Sequence, residues 1–274
     1  MVQLDLVAEL AFALELADLA DAISLRHFRR ASLKVETKAD HSPVSEADRE
    51  VEQVLRQRIA TARPAHAVVG EEYGSSSVAA GPRWILDPID GTRKFVRGMS
   101  AWATLIALED AGEMQVGVAS APALGRRWWA ARGLGAFADG HPIHVSGVAT
   151  IAESHVSHGA LEGWVRAGRA PQLGALATRC WATSGYGDFW VHMLVAEGAA
   201  EAAVEIEAAI WDLAALKVIV EEAGGQLTDL AGANTASGGT GISSNGLVHD
   251  AVLQVLSWPL PPGHPPDAAG RAAT

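Results

Sequence analysis

A single cysteine, Cys180, stands among 274 residues. It excludes an intrachain disulfide and fits a reducing compartment, where its expected role is that of a small buried apolar residue. Blocks of Lys and Arg are missing, and 21 basic against 32 acidic residues leave a net charge of −11. That balance argues against nucleic acid or an anionic membrane as a partner, while leaving room for a local basic pocket that takes a phosphate. No stretch is long and apolar enough to span a bilayer. Asp5, Glu9, Glu15 and Asp18 interrupt the first segment, where an export signal needs an unbroken apolar run, so a cytoplasmic protein is expected. Internal repeats are absent, and the histidines are dispersed, with no helical pair spaced for a metal. What is present, 49% hydrophobic and 19% charged residues, describes a globular chain of one large domain or two closely packed ones.

Leu6, Leu10, Ala13, Leu14, Ala17 and Ala20 recur at helical spacing and predict an amphipathic helix over 3–28. A polar loop over 37–43 follows. Ser45 and Asp48 then match a capping box ahead of a second helix that carries Val51, Val54, Leu55 and Ile59 on one face. A short strand over 67–70 ends in Glu71 and Glu72, and small residues over 75–82 predict a mobile connector. Strands over 102–108 and 114–120 flank a turn at 110–113, with shorter strands at 126–130 and 135–137, so this half reads as α+β. Punctuation near 140–153 suggests a division into 1–145 and 146–257. The second half alternates: a strand at 154–158, helices within 170–178 and at about 189–197, a strand at 202–206, and a helix at 211–223 stopped by Gly224-Gly225. Strands at 226–230 and 240–244 and a helix at 247–256 complete it. Residues 258–274, rich in Pro, Gly and Ala, read as a disordered tail.

The stretch Trp84-Ile-Leu-Asp87-Pro-Ile-Asp90-Gly-Thr92 concentrates two carboxylates and a hydroxyl behind an apolar run. Pro88 biases Asp87 towards an extended backbone, so a strand over 84–86 is expected to end with the Asp87 carboxylate at the sheet edge. Asp87 and Asp90 then point at one spot and suit a hard divalent cation. A plain hairpin is the rival, because Asp-Gly is a common turn signal.

Gly70-Glu71-Glu72, the 84–92 stretch, Trp211-Asp212-Leu-Ala-Ala and Glu222-Ala-Gly-Gly225 occur in the order and context of the inositol monophosphatase family, which the chain resembles over nearly its whole length. The resemblance implies an α/β (mixed α+β) fold, layered as an α/β/α/β/α sandwich, and a magnesium-dependent phosphomonoesterase with two or three Mg2+ ions per site. By matching position it implies metal ligation by Glu71, Asp87, the Ile89 carbonyl, Asp90 and Asp212. It implies a water nucleophile served by Asp48, Thr92 and Glu71, and phosphate binding at Gly91 and Thr92, where a helix start suits an anion. Capping alone also explains Asp48, and the macrodipole alone explains Asp212.

Phe95-Val-Arg-Gly98, Ser120-Ala-Pro-Ala-Leu124, Arg127-Trp-Trp-Ala-Ala-Arg132 and Tyr186-Gly-Asp188-Phe189 resemble the actinobacterial histidinol-phosphate phosphatases of that family. L-Histidinol phosphate carries an amine and an imidazole, so acids at Asp188 and Glu205 suit it as substrate-binding residues, with Asp188 as a mere helix cap the alternative. Lys94 departs from the family's frequent Asn. Inositol monophosphate, or small phosphomonoesters broadly, is the second substrate reading, and a noncatalytic phosphate- or metal-binding regulator the reading from another class. A homodimer is implied by family analogy.

Overall fold

The computed structural model describes residues 4–39, 41–76 and 81–257. The expected tail over 258–274 and the middle of the expected 75–82 connector lie outside them.

Helix Leu6–His27 begins where Asp5 Oδ1 accepts the N–H groups of Val7 and Ala8 at 3.1 and 3.2 Å, and its Phe12, Leu16, Ala20 and Ile23 are buried. Helix Glu46–Ala62 lies beside it, with Val51, Leu55 and Ile59 inward. Both cover one face of an eight-stranded sheet, meeting Trp84, Leu86, Ile106, Val116 and Val118. Burying each such large side chain stabilises the layer by roughly 2 kcal/mol.

Edge to edge, the sheet runs His141–Pro142, Gly135–Ala138, Arg126–Ala131, Glu113–Ala121, Ala103–Asp110, Arg83–Asp90, Ala67–Gly70 and Gly74–Ser75. Neighbours are antiparallel except Ala67–Gly70 with Arg83–Asp90, which are parallel. The other face, including Ile85, Leu105 and Ala119, packs on helices Asp188–Ala196 and Ile210–Glu222 through Phe189, Leu213 and Leu216. Beyond these helices Val191 and Val195 meet Ala203 of a second sheet, ordered Ala182–Ser184, His155–His158, Ala202–Glu205, Gly241–Ser244 and Gln226–Thr228. Its first three strands are parallel and its last two pairings antiparallel. Trp164, Leu173 and Val252 of helices Leu161–Arg166, Ala170–Ala177 and His249–Leu256 close its outer face. The layers are therefore α/β/α/β/α, as the family resemblance implied.

Several local expectations need correction. The strand at 84–86 is longer, spanning Arg83–Asp90. Residues expected as a polar loop over 37–43 are flanked by a two-stranded pairing of exposed Val35–Thr37 with Pro43–Ser45, each too short to leave a hydrophobic signature. Helix Leu161–Arg166 and strand Ala182–Ser184 carry no clear periodicity and are held by packing. Cys180 is only half-buried. Among the described residues no helix is long and apolar enough to cross a membrane.

Candidate metal and active site

In a regular strand, residues three apart point to opposite faces. Asp87 and Asp90 escape this because the Arg83–Asp90 strand bulges: Asp87 pairs with Leu105 and Asp90 with Ala103, leaving one extra residue on their side. Pro88 sits inside the bulge, where its missing N–H interrupts no ladder, and its carbonyl accepts the Thr104 hydroxyl at 2.8 Å. The extra residue returns both carboxylates to one side. Gly91 follows at φ 85°, a left-handed turn open to glycine, and starts helix Thr92–Val96. That helix removes the hairpin reading.

The third carboxylate arrives from the other half of the chain. Asp212 lies in the first turn of helix Ile210–Glu222, where its Oδ2 accepts the Ala209 N–H at 2.7 Å. The helix is laid tightly on the sheet, so that a Cβ at Gly117 would stand 2.3 Å from the Ala215 carbonyl oxygen. Oxygens of Asp87, Asp90 and Asp212 consequently fall within 4.8 Å of one another. Asp90 Oδ2 also accepts the Phe189 N–H at 2.6 Å, which ties helix Asp188–Ala196 to the site.

Crowding these acids away from water is costly to their charged forms. Burial first, then the neighbouring charges of Glu71, Asp90 and Asp212, pushes Asp87 well above the usual carboxylate range. Asp90 is raised likewise by burial and by Asp188 and Asp212, and Asp212 is pushed up to about 7, mainly by burial. Asp87 Oδ1 is buried and accepts no hydrogen bond among the described residues. An all-oxygen donor set with an orphaned buried acceptor has the chemistry of a hard divalent metal site.

Asp48 caps its helix and also faces Thr92. Its Oδ2 accepts the Ser45 N–H at 2.8 Å and the Ser45 hydroxyl at 2.5 Å, which caps the helix, while Oδ1 accepts the Thr92 hydroxyl at 3.1 Å. Burial raises this carboxyl as well, against the hydrogen bonds from Ser45. Thr92 Oγ1 is also 2.9 Å from the Ile89 carbonyl oxygen. The Ile89 side chain is buried beside Phe95 and Trp102, so only its backbone is available to the site.

Glu71 lines the same cavity, of about 370 Å³, as Asp87, Asp90, Thr92 and Asp212. Its carboxylate is not in the three-acid cluster; Lys38 Nζ holds it at 2.7 Å and Glu72 at 2.7 Å. Burial opposes the Lys38 charge, but these two acids raise its pKa overall. Asp188 lines the cavity too, where its Oδ2 takes Lys94 Nζ at 2.5 Å; it makes no capping bond to its own helix. Glu205 sits behind it against a smaller cavity of about 50 Å³ and accepts the Asp188 N–H at 3.1 Å. Burial raises its pKa strongly.

Two supporting residues escaped the sequence reading. Glu52, fully buried, accepts the N–H groups of Glu72 and Tyr73 at 2.7 and 3.1 Å and so shapes the turn that presents Glu71. An acid four residues after Asp48, on the apolar face with Leu55 and Ile59, was the available signal. Lys38 carried none, because its partners lie 33 and 34 residues away.

Residues 5–257 match the model of the inositol monophosphatase family. The chain belongs to the inositol monophosphatase family. Histidinol-phosphatase of Mycobacterium tuberculosis is 48% identical over 254 residues, covering 91% of this chain and 98% of that protein. Histidinol-phosphatase of Streptomyces coelicolor is 45% identical over 263 residues, covering 92% and 98%. A solved IMPase structure from Thermotoga maritima superposes with a TM-score of 0.83 at 31% identity, covering 91% of this chain and 96% of that one. As a member of this metal-dependent family with such relatives, the chain is a phosphomonoesterase acting on small phosphomonoesters.

Proposed function

We propose that this phosphatase is magnesium-dependent and hydrolyses L-histidinol phosphate to L-histidinol and orthophosphate, a step of histidine biosynthesis. The observation that carries the metal part is the trio of buried Asp87 and Asp90 with half-buried Asp212, and its orphaned Asp87 Oδ1. Those three, with Glu71 and the Ile89 carbonyl, would hold two or three Mg2+ ions. When bound, magnesium supplies the positive charge that offsets the mutual repulsion of the acids, acidifies water and neutralises charge building on the phosphoryl oxygens.

The chain's own groups orient the reactants. Thr92 has one hydroxyl proton, directed to Asp48 Oδ1 or to the Ile89 carbonyl. Its remaining capacity is as an acceptor, so a water beside it donates a hydrogen to Thr92 Oγ1 and turns a lone pair towards phosphorus. Asp48, raised by burial, is suited to take the water's proton through Thr92 as the ester P–O bond breaks, and the departing oxygen takes its proton from solvent. Gly91 and Thr92, at the cavity wall, receive the phosphate.

For the substrate, support comes from the two histidinol-phosphatases matched over 98% of their length and from the acids beyond the trio. Asp188 faces the cavity as the cation acceptor, and Glu205 acts through it from behind. The test is kcat/KM on L-histidinol phosphate and on myo-inositol 1-phosphate in one magnesium buffer; preference for inositol phosphate overturns the substrate. A homodimer is proposed on family analogy and is tested by light scattering. A division near residue 145 is proposed as one between halves that fold together, since helix Ile210–Glu222 completes the core of the first sheet; independent folding of residues 1–145 would refute this.

A further inference from the structure

The protein carries a net charge of −11, and most of its cations are taken up by acids, from Arg26 with Glu50 to Lys217 with Glu221. Arg29, Arg30, Lys34 and Arg97 are exposed and form no ion pair among the described residues. They come from two segments that the fold brings together. Phe28 packs on Phe95 and Trp102, with ring centres 5.5 and 5.4 Å apart, and Leu33 joins the same cluster. Arg29 Nε donates to the Gly98 carbonyl at 2.9 Å, next to Arg97, and its guanidinium lies 5.0 Å from the Phe28 ring centre. Arg29 stands at φ 60°, a left-handed conformation that a side chain disfavours, so packing fixes its place.

The patch borders the catalytic cavity. Arg97 follows cavity-lining Arg93 by one helical turn, its N–H reaching the Arg93 carbonyl at 3.4 Å, and so shares its face. Strand Val35–Thr37, directly after Lys34, pairs with Pro43–Ser45, and Pro43 lines the cavity as well. The acids nearby are engaged: Glu50 with Arg26 and His27, Glu162 with Arg93, and Glu46 with the Lys34 N–H and, at 3.7 Å, His27. Arg29, Arg30, Lys34 and Arg97 stand outside the cavity wall itself, so they act on its contents through the field and not by contact.

At about pH 8 a phosphomonoester carries two negative charges on its phosphoryl group. It approaches a cavity walled by Glu71, Asp87, Asp90, Asp188 and Asp212, on a molecule of the same sign. We propose that Arg29, Arg30, Lys34 and Arg97 form an approach patch that draws the phosphoryl dianion to the cavity without touching the bound substrate. Clustered cations raise the local concentration of an anion and its encounter rate. Their reach shrinks with the Debye length, from roughly 30 Å at 0.01 M salt to roughly 3 Å at 1 M. The proposal needs only the phosphomonoesterase activity, whichever ester is preferred.

The test combines Arg30→Gln, Lys34→Gln and Arg97→Gln in the full chain and leaves Arg29, which holds Gly98. kcat/KM is measured on L-histidinol phosphate and on myo-inositol 1-phosphate at fixed magnesium, from low salt to about 0.5 M KCl. At low salt the variant is expected to lose roughly three- to tenfold in kcat/KM through KM, with kcat and the melting midpoint unchanged. In high salt it converges on the wild type. The loss is larger for inositol phosphate, whose charge no ammonium offsets. The combination Arg30→Lys, Lys34→Arg and Arg97→Lys behaves as wild type, because charge and not shape is at work. An unchanged kcat/KM at low salt overturns the proposal, and so does a loss that persists in high salt, the mark of direct contact or a damaged fold. A changed oligomeric state in light scattering also overturns it, by assigning the patch to a subunit contact. If inositol phosphate is the better substrate while the salt dependence behaves as expected, the proposed substrate fails and the approach patch stands.

Discussion

Asp212→Asn is expected to make the metal-free protein more stable while abolishing turnover. In the unfolded chain Asp212 titrates near 3.8; in the fold, burial moves it to about 7. A carboxyl raised in this way binds more protons folded than unfolded throughout that interval, so the stability it confers is present at low pH and is lost as pH climbs from about 4 through about 7. At roughly 1.4 kcal/mol per pH unit, the interval corresponds to a penalty of ~4 kcal/mol by pH 8. Asn keeps an oxygen for the Ala209 N–H and removes the charge, so it relieves between roughly 1 and 4 kcal/mol, the spread reflecting relaxation of the neighbouring acids. The assay is thermal unfolding in EDTA at pH 8 and pH 5, repeated with magnesium. At pH 8 in EDTA the variant should melt several degrees higher, with the gap narrowing at pH 5, where the wild-type carboxyl is already protonated. Magnesium should raise the wild-type midpoint and leave the variant's nearly still, since binding to the folded state alone stabilises it. A variant that melts at or below wild type in EDTA at pH 8, or that keeps the full magnesium response, refutes the reasoning.

Thr92→Val should cut kcat by on the order of a hundredfold and Thr92→Ser much less, because only the hydroxyl links water to Asp48; steady-state kinetics with an unchanged melting curve checks this. Gly117→Ala should cost roughly 1–3 kcal/mol in urea unfolding and lower activity as well, since the new Cβ pushes on Ala215 and shifts the helix that carries Asp212. Wild-type stability in that variant would contradict the tight contact. Glu52→Ala should cost roughly 2–5 kcal/mol by leaving the Glu72 and Tyr73 N–H groups unpartnered, and should raise the magnesium concentration needed for half-maximal activity by loosening Glu71.

The acids set a balance between stability and function. Among the described residues, Lys38 and Lys94 are the lysines that pair with acids lining the cavity, Lys38 with Glu71 and Lys94 with Asp188. Among the described residues neither lysine forms an ion pair with Asp87, Asp90 or Asp212. A protein selected only for stability would replace one of the trio; retaining all three is the expected signature of a site kept for chemistry.

Much of the architecture was legible locally. Helical periodicity located the helices that end near His27 and Ala62, the Gly224-Gly225 stop located the end of the one at Glu222, and the Ser45–Asp48 capping box was visible from spacing alone, because caps, stops and amphipathic faces are contacts between near neighbours. The order of Glu71, Asp87, Asp90 and Asp212 pointed to the family, and the carboxyl types pointed to a hard cation. Other features depend on residues that meet only across the fold. The bulge that returns Asp87 and Asp90 to one side is a matter of register against the neighbouring strand. Asp212 reaches them because its helix packs on the sheet, and Glu205 stands behind Asp188 because a strand of the second sheet ends there. The pairing of Lys94 with Asp188 joins two residues 94 positions apart that nothing in the sequence connected. Short-range spacing encodes which groups are available; which of them share one cavity is decided by long-range packing, where desolvation and crowding, absent from the extended chain, first give these carboxylates their altered protonation and their need for a metal.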